Sequence, residues 1–259
     1  MRSSTTLACL GLAAALGGCA ITPEPPAPIT APSQVSRFSG HPPGNALPPG
    51  WKPWTLSRFK QATDYRLITY QGRTVVQARA EGAASGLMHP LGIDPKARPY
   101  LHWHWKVPAL IASADNTTRH LEDSPVRVVV SFAGDHGKLD LHDRIFFDQI
   151  RLISGQELPY ATLMYIWENR IPRDQVIPNR HTGRIRMIVA QSGEDGLGRW
   201  QSFTRNIVED YRGAFGEEPG RITAVGIMTD TDNTGETAQA LYGDIGFQAK
   251  PTVGQTASQ

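Results

Sequence analysis

Beyond position 19 the chain has no cysteine; its two cysteines are Cys9 and Cys19. That removes a disulfide framework from any folded body and leaves no thiol for catalysis there. The N-terminal apolar run, residues 7–16, is too short to cross a bilayer as a stable helix, which takes about 20 residues. Excess charge is missing as well: 26 basic side chains stand against 24 acidic ones, a formal net charge of +2, so nothing electrostatic points to nucleic acid as a partner. No G-x-S-x-G elbow, H-E-x-x-H helix, P-loop or dinucleotide G-x-G-x-x-G occurs. Paired carboxylates leave no such signature, so a glycosidase or lyase stays open.

What is present begins with an address. Arg2 precedes the short apolar run, which ends in Leu16-Gly17-Gly18-Cys19. This resembles the lipobox of bacterial lipoproteins, whose cysteine is lipidated and becomes the new N-terminus; the alternative is an ordinary secretory signal with an incidental cysteine. Residues 1–18 then form the signal peptide. Ala20 rather than aspartate follows the cysteine, which implies the outer membrane in enteric-type bacteria. Residues 19–50 read as the lipidated cysteine and a spacer, because prolines 23, 25, 26, 28, 32, 42, 43, 48 and 49 break helices and strand ladders. Residues 250–259 read as a frayed tail.

From Trp51 onward the pattern alternates. Residues 64–70 (DYRLITY) and 73–80 (RTVVQARA) predict two strands around a Gln71-Gly72 turn, and 126–132 (VRVVVSF) is the most strand-like run. In 100–107 (YLHWHWKV), Leu101, Trp103, Trp105 and Val107 share one face and His102, His104 and Lys106 the other. The tryptophans are therefore read as core. One helix is expected over 206–215, with Asn206 and Glu209 spaced as a capping box and Gly216 to end it. About eight or more short strands with one short helix predict a mainly β fold, an antiparallel β-sandwich of jelly-roll type over 51–249.

Three sets of residues carry candidate chemistry. Asp230, Asp232, Thr234 and Gly235 open like a calcium loop, but Leu241 stands where an EF-hand needs its twelfth-position carboxylate. A structural calcium completed by Asp244 and a hydrogen-bonded Asx turn without an ion are both open readings. His102 and His104, two apart on one face, could line a cleft or share a metal. Tyr165, Trp167 and Glu168 close an apolar strand beside Asn169 and Arg170, which suits a glycan groove or plain strand-end packing. Residues 131–147 (SFAGDHGKLDLHDRIFF) read as a loop dense in Asp135, His136, Asp140, His142 and Asp143, either solvated or recruited for acid–base or metal chemistry.

Five segments taken together, LHWHWKV (101–107), LPYATLMYIWENR (158–170), RIRMIV (184–189), WQSFTRNIVEDYRGAFGEEPGRI (200–222) and VGIMTDTDNTG with YGDI (225–245), resemble a bacterial family of secreted proteins known as a domain of unknown function. The resemblance implies a fold similar to the galactose-binding and carbohydrate-binding-module sandwiches, and by that analogy glycan binding. The expectation is a membrane-anchored envelope lipoprotein whose non-catalytic sandwich binds a saccharide or another envelope component, with no nucleic-acid partner. The alternative is a hydrolase or lyase acting on envelope polysaccharide, which convergence of Asp140, His142 or Asp143 with His102 and His104 in one cleft would favour.

Overall fold

Period-two burial decides the architecture. In the computed structural model, which describes residues 32–55, 59–155 and 157–251, ten of the twelve described strands turn apolar side chains into a shared core. The elements in order are β1 (Lys52–Thr55), β2 (Asp64–Tyr70), β3 (Arg73–Glu81), β4 (Ala84–Ile93), β5 (Tyr100–Lys106) and β6 (Ser124–Phe132), then helix α1 (Leu141–Ser154). They continue with β7 (Ala161–Glu168), β8 (Val176–Pro178), β9 (Ile185–Ser192), β10 (Trp200–Asn206), helix α2 (Ile207–Phe215), β11 (Ile222–Asp230) and β12 (Thr237–Gln248). A seven-stranded sheet runs β1-β4-β11-β6-β7-β9-β8 and a five-stranded sheet β10-β5-β12-β3-β2. This is a β-sandwich.

The interior confirms the face assignment in β5: Leu101, Trp103 and Trp105 are fully buried. Trp103 stacks on Phe203 at 4.9 Å and lies 4.8 Å from the Tyr165 ring. The continuous apolar run of β6 has a different cause, since every residue of that strand is buried. Val126, Val128 and Val130 point into the sandwich, while Val129 packs on the other side with Met164 and Met228. A strand covered on both faces has no polar side to display.

Four expectations need correction. Among the described residues there are two α-helices rather than one. α1 occupies what reads in sequence as an Asp/His-rich loop, because Asp140 caps it by accepting from Asp143 N at 2.7 Å and Gly155 ends it in the left-handed region (φ 69°). The pairing is not wholly antiparallel, as β7 and β9 run parallel. The strand β10, in register with β5 from Trp200↔Lys106 to Asn206↔Tyr100, directly precedes α2 and was not foreseen. Lastly, the proline-rich stretch does not remain a spacer through Gly50. Phe38 is fully buried in the main core, 4.6 Å from Trp51, and Gly44 exchanges both backbone hydrogen bonds with Leu67 on the edge strand β2. Prolines keep this segment out of a ladder without preventing one aromatic from plugging the sandwich. The signal peptide, Cys19 and residues 252–259 lie outside the described residues.

Candidate functional site

β5 and its neighbours build one polar surface on the outer face of the five-stranded sheet. Alternation turns His102, His104 and Lys106 outward, and β10 sets Thr204, Ser202 and Trp200 directly beside them. On the other side, β12 contributes Gly246 next to His102 and Leu241 next to Lys106. Glycine is required here for close approach: a Cβ at Gly243 would fall 2.3 Å from His104 Cδ2, and one at Gly246 2.6 Å from His102 Cε1. The two imidazoles thus lie against bare backbone.

The sheet then folds over this surface. β2 and β10 are its opposite edges, which in a flat sheet would be separated by four strand spacings, roughly 19 Å. Yet the Tyr70 ring, at the end of β2, meets the Trp200 ring edge-on at 6.2 Å. Lys106 Nζ donates to the Tyr70 hydroxyl at 2.7 Å and sits 5.0 Å from that ring's centre. A tight turn at Gln71 (φ 49°) and Gly72 (φ 77°) carries the chain from β2 into β3 just beyond this contact. Two aromatic rings and one ammonium thus cluster on the face that also carries the two imidazoles, and this cluster is the cup. Among the described residues Lys106 has no carboxylate within ion-pair distance.

Electrostatics keeps the imidazoles uncharged. Burial lowers His102 below the usual histidine value, reinforced by His104 and Arg37. Burial lowers His104 too, with Asp244 pulling the other way. His102 Nδ1 is buried without a hydrogen-bond partner among the described residues. A neutral imidazole both donates and accepts, which suits hydroxyl groups. Asp244 serves the rim of this face: its carboxylate accepts from Ser39 N at 3.0 Å and from the Ser39 hydroxyl, holding the segment that carries Phe38.

Asp244 therefore does not complete a site with Asp230 and Asp232. The third carboxylate near those two is Asp123, the three offering oxygens within 4.8 Å of one another. Each is already matched from within. Asp230 faces Arg127, both under 5% exposed, through Nε at 2.8 Å and Nη2 at 3.1 Å. Asp232 pairs with Lys60 at 2.5 Å. Asp123 accepts from the backbone N–H groups of Asn233 and Thr234 at 3.3 and 2.7 Å. Burial pushes the Asp230 carboxyl up to about 6 even with the guanidinium fork opposing it. A cation for these acids is thus supplied by Arg127 and Lys60.

Tyr165, Trp167 and Glu168 form no groove. All three are buried: Tyr165 donates to Asp210 Oδ2 at 2.7 Å, Trp167 Nε1 to Gly193 O at 2.9 Å, and Glu168 accepts from the N–H groups of Arg170 and Ile171. Their polar atoms are spent on the turn and helix beside them. Nor do the acids of α1 join the histidines. Asp140 caps that helix, and Asp143 accepts from Thr182 Oγ1 at 2.6 Å and Gly183 N at 2.8 Å, on elements of the other sheet. Tyr70, Trp200 and Lys106 are the cup residues that sequence reasoning missed. Only Lys106 had a readable signal, its shared face with the histidines.

Residues 49–246 match the model of a family described as a protein of unknown function, DUF3047. The chain belongs to the DUF3047 family. No curated protein matches this DUF3047 member. Among solved structures it is similar to the glycoside hydrolase domain of Endo-D from Streptococcus pneumoniae R6, at 9% identity and a TM-score of 0.32, over 77% of this chain and 21% of that one. The chain thus spans about a fifth of that structure. It is also similar to the cellulose-induced protein Cip1, at 11% identity and a TM-score of 0.32, over 77% of this chain and 91% of that one. Such likeness is too slight to bear on the function of the cup.

Proposed function

We propose that this protein is an envelope lipoprotein, anchored through Cys19, whose sandwich binds a saccharide-type ligand in the cup formed by Tyr70, Trp200, Lys106, His102 and His104. The observation that carries the reading is the meeting of Tyr70 and Trp200 from opposite edges of one sheet above Lys106. Aromatic faces pack on the apolar faces of sugar rings, and the ammonium and neutral imidazoles hydrogen-bond hydroxyls around them. The role is read as non-catalytic; Asp244, whose charge bears on both histidines, is taken up by Ser39. Acylation of Cys19 is tested separately, by palmitate incorporation into the wild type and not into Cys19→Ala.

Binding is tested with the full chain in detergent against a panel of envelope polysaccharides. Trp200→Ala is expected to weaken retention by about tenfold, near the upper end of what one aromatic contact contributes. Retention of no polysaccharide by the wild type, or equal retention by Trp200→Ala, refutes the site.

A further inference from the structure

A helix on a domain surface normally turns its polar side to water. α1 turns large apolar side chains to water as well as polar ones. At 100° per residue, Asp143, Phe147 and Ile150 share the side toward the body, where Asp143 is buried and Phe147 packs on the main core. Leu141, Ile145 and Leu152 fall within about 40° of one another on the opposite side. They are 74%, 50% and 83% exposed; Asp148, exposed and paired with Arg151 at 3.0 Å, lies among them on the same side, and Ile153, about 100° further round, is 67% exposed. Four of the six large apolar side chains exposed among the described residues thus belong to this one helix. Arg144 and Arg151 border the stripe, and both are exposed.

The position of α1 says what this stripe could meet. Ile93 of β4, Ile222 of β11, Phe132 of β6 and Ala161 of β7 form one row across the end of the seven-stranded sheet. Just before that row, Gly92 N donates to Pro32 O at 2.9 Å, so the chain toward Cys19 departs from this end. α1 lies between β6 and β7, at the same end. Twelve residues lie between Cys19 and Pro32, thirteen steps that reach about 40 Å when extended at ~3.1 Å each. Pro32, the first described residue, and helix α1 therefore share one end of the seven-stranded sheet.

We propose that α1 seats on the lipid surface to which Cys19 tethers the chain, with Leu141, Ile145, Leu152 and Ile153 entering the boundary between headgroups and acyl chains and Arg144 and Arg151 against anionic headgroups. This rests on the anchor reading above. The seated helix fixes the orientation of the body, where the tether alone would leave it free to swing.

The test uses the full chain, processed and acylated. Since no cysteine follows Cys19, an introduced cysteine is a unique free thiol. A bimane label at Leu152→Cys is compared with one at Asp195→Cys, an exposed position beyond the far end of β9. The vesicles are phosphatidylethanolamine and phosphatidylglycerol with a nitroxide-bearing phosphatidylcholine. The expected result is flotation of both proteins, quenching at 152 and not at 195, and loss of the quenching in Leu141→Glu/Ile145→Glu with flotation retained. Flotation without quenching at 152 overturns the helix proposal and leaves the anchor standing. Failure to float overturns both. A label at 152 that becomes shielded without vesicles as protein concentration rises assigns the stripe to a second copy and also overturns the proposal.

Discussion

Arg127→Met should be the most informative single change in the body. The guanidinium is 2% exposed and hydrogen-bonds Asp230 twice, Glu122 O at 2.9 Å and Asn116 Oδ1 at 3.2 Å, with Met187 Sδ at 3.1 Å from Nη1. Removing it leaves Asp230 buried with one remaining donor, Ser124 N at 3.2 Å. Breaking a buried pair from one side costs about 3–5 kcal/mol. For a domain of this size that lowers Tm by roughly 6–20 °C. Asp230→Leu added to Arg127→Met should recover much of the loss, because a buried pair replaced as a unit is often neutral. The sign of the pH effect is fixed by the same carboxyl. Its folded value, about 6, lies above the usual carboxylate value, so its stabilising contribution is present at low pH and lost as pH rises through 6. Without Arg127 the carboxyl moves higher still, so the gap between variant and wild type should narrow from pH 8 to pH 5. Thermal melts by circular dichroism measure all of this. In the same melts, calcium added after chelation should leave wild-type Tm unchanged, since Arg127 and Lys60 balance two of the three carboxylates and backbone N–H groups hold Asp123. An Arg127→Met variant within about 1 kcal/mol of wild type at pH 8, or a double variant no better than the single, refutes the reasoning.

Two further outcomes follow from the packing. Phe38→Ala should cost about 3–5 kcal/mol in denaturant unfolding, as for other buried phenylalanines; an unchanged midpoint would return residues 32–50 to the spacer. His102 and His104 titrate below the ordinary histidine range in the folded state, so the unfolded chain binds protons first and stability contributed by these groups falls as pH drops through the mid-6 region. His102→Gln/His104→Gln should flatten that slope relative to wild type in urea titrations between pH 8 and 5, and an identical slope would exclude them as its source.

The sequence by itself determined the sandwich, because alternation is a local property: Leu101, Trp103 and Trp105 had to share a face whatever lay across from them. It also determined α2, whose cap at Asn206 and stop at Gly216 are adjacent in the chain, and both caps form as their spacing requires. α1 carried the same kind of signals in Asp140 and Gly155, yet its outward face mixes Leu141, Ile145 and Leu152 with Asp148 and its body face holds the acid Asp143, so periodicity did not distinguish it from a loop. Tertiary structure alone decided the rest. Tyr70 and Trp200 stand 130 residues apart and meet only because the sheet curls. Asp230 reads in sequence with Asp232, and only the fold sets Arg127, from a neighbouring strand, against its carboxylate. Phe38 sits in a proline-rich stretch whose composition describes the backbone well and says nothing about where one ring will be buried.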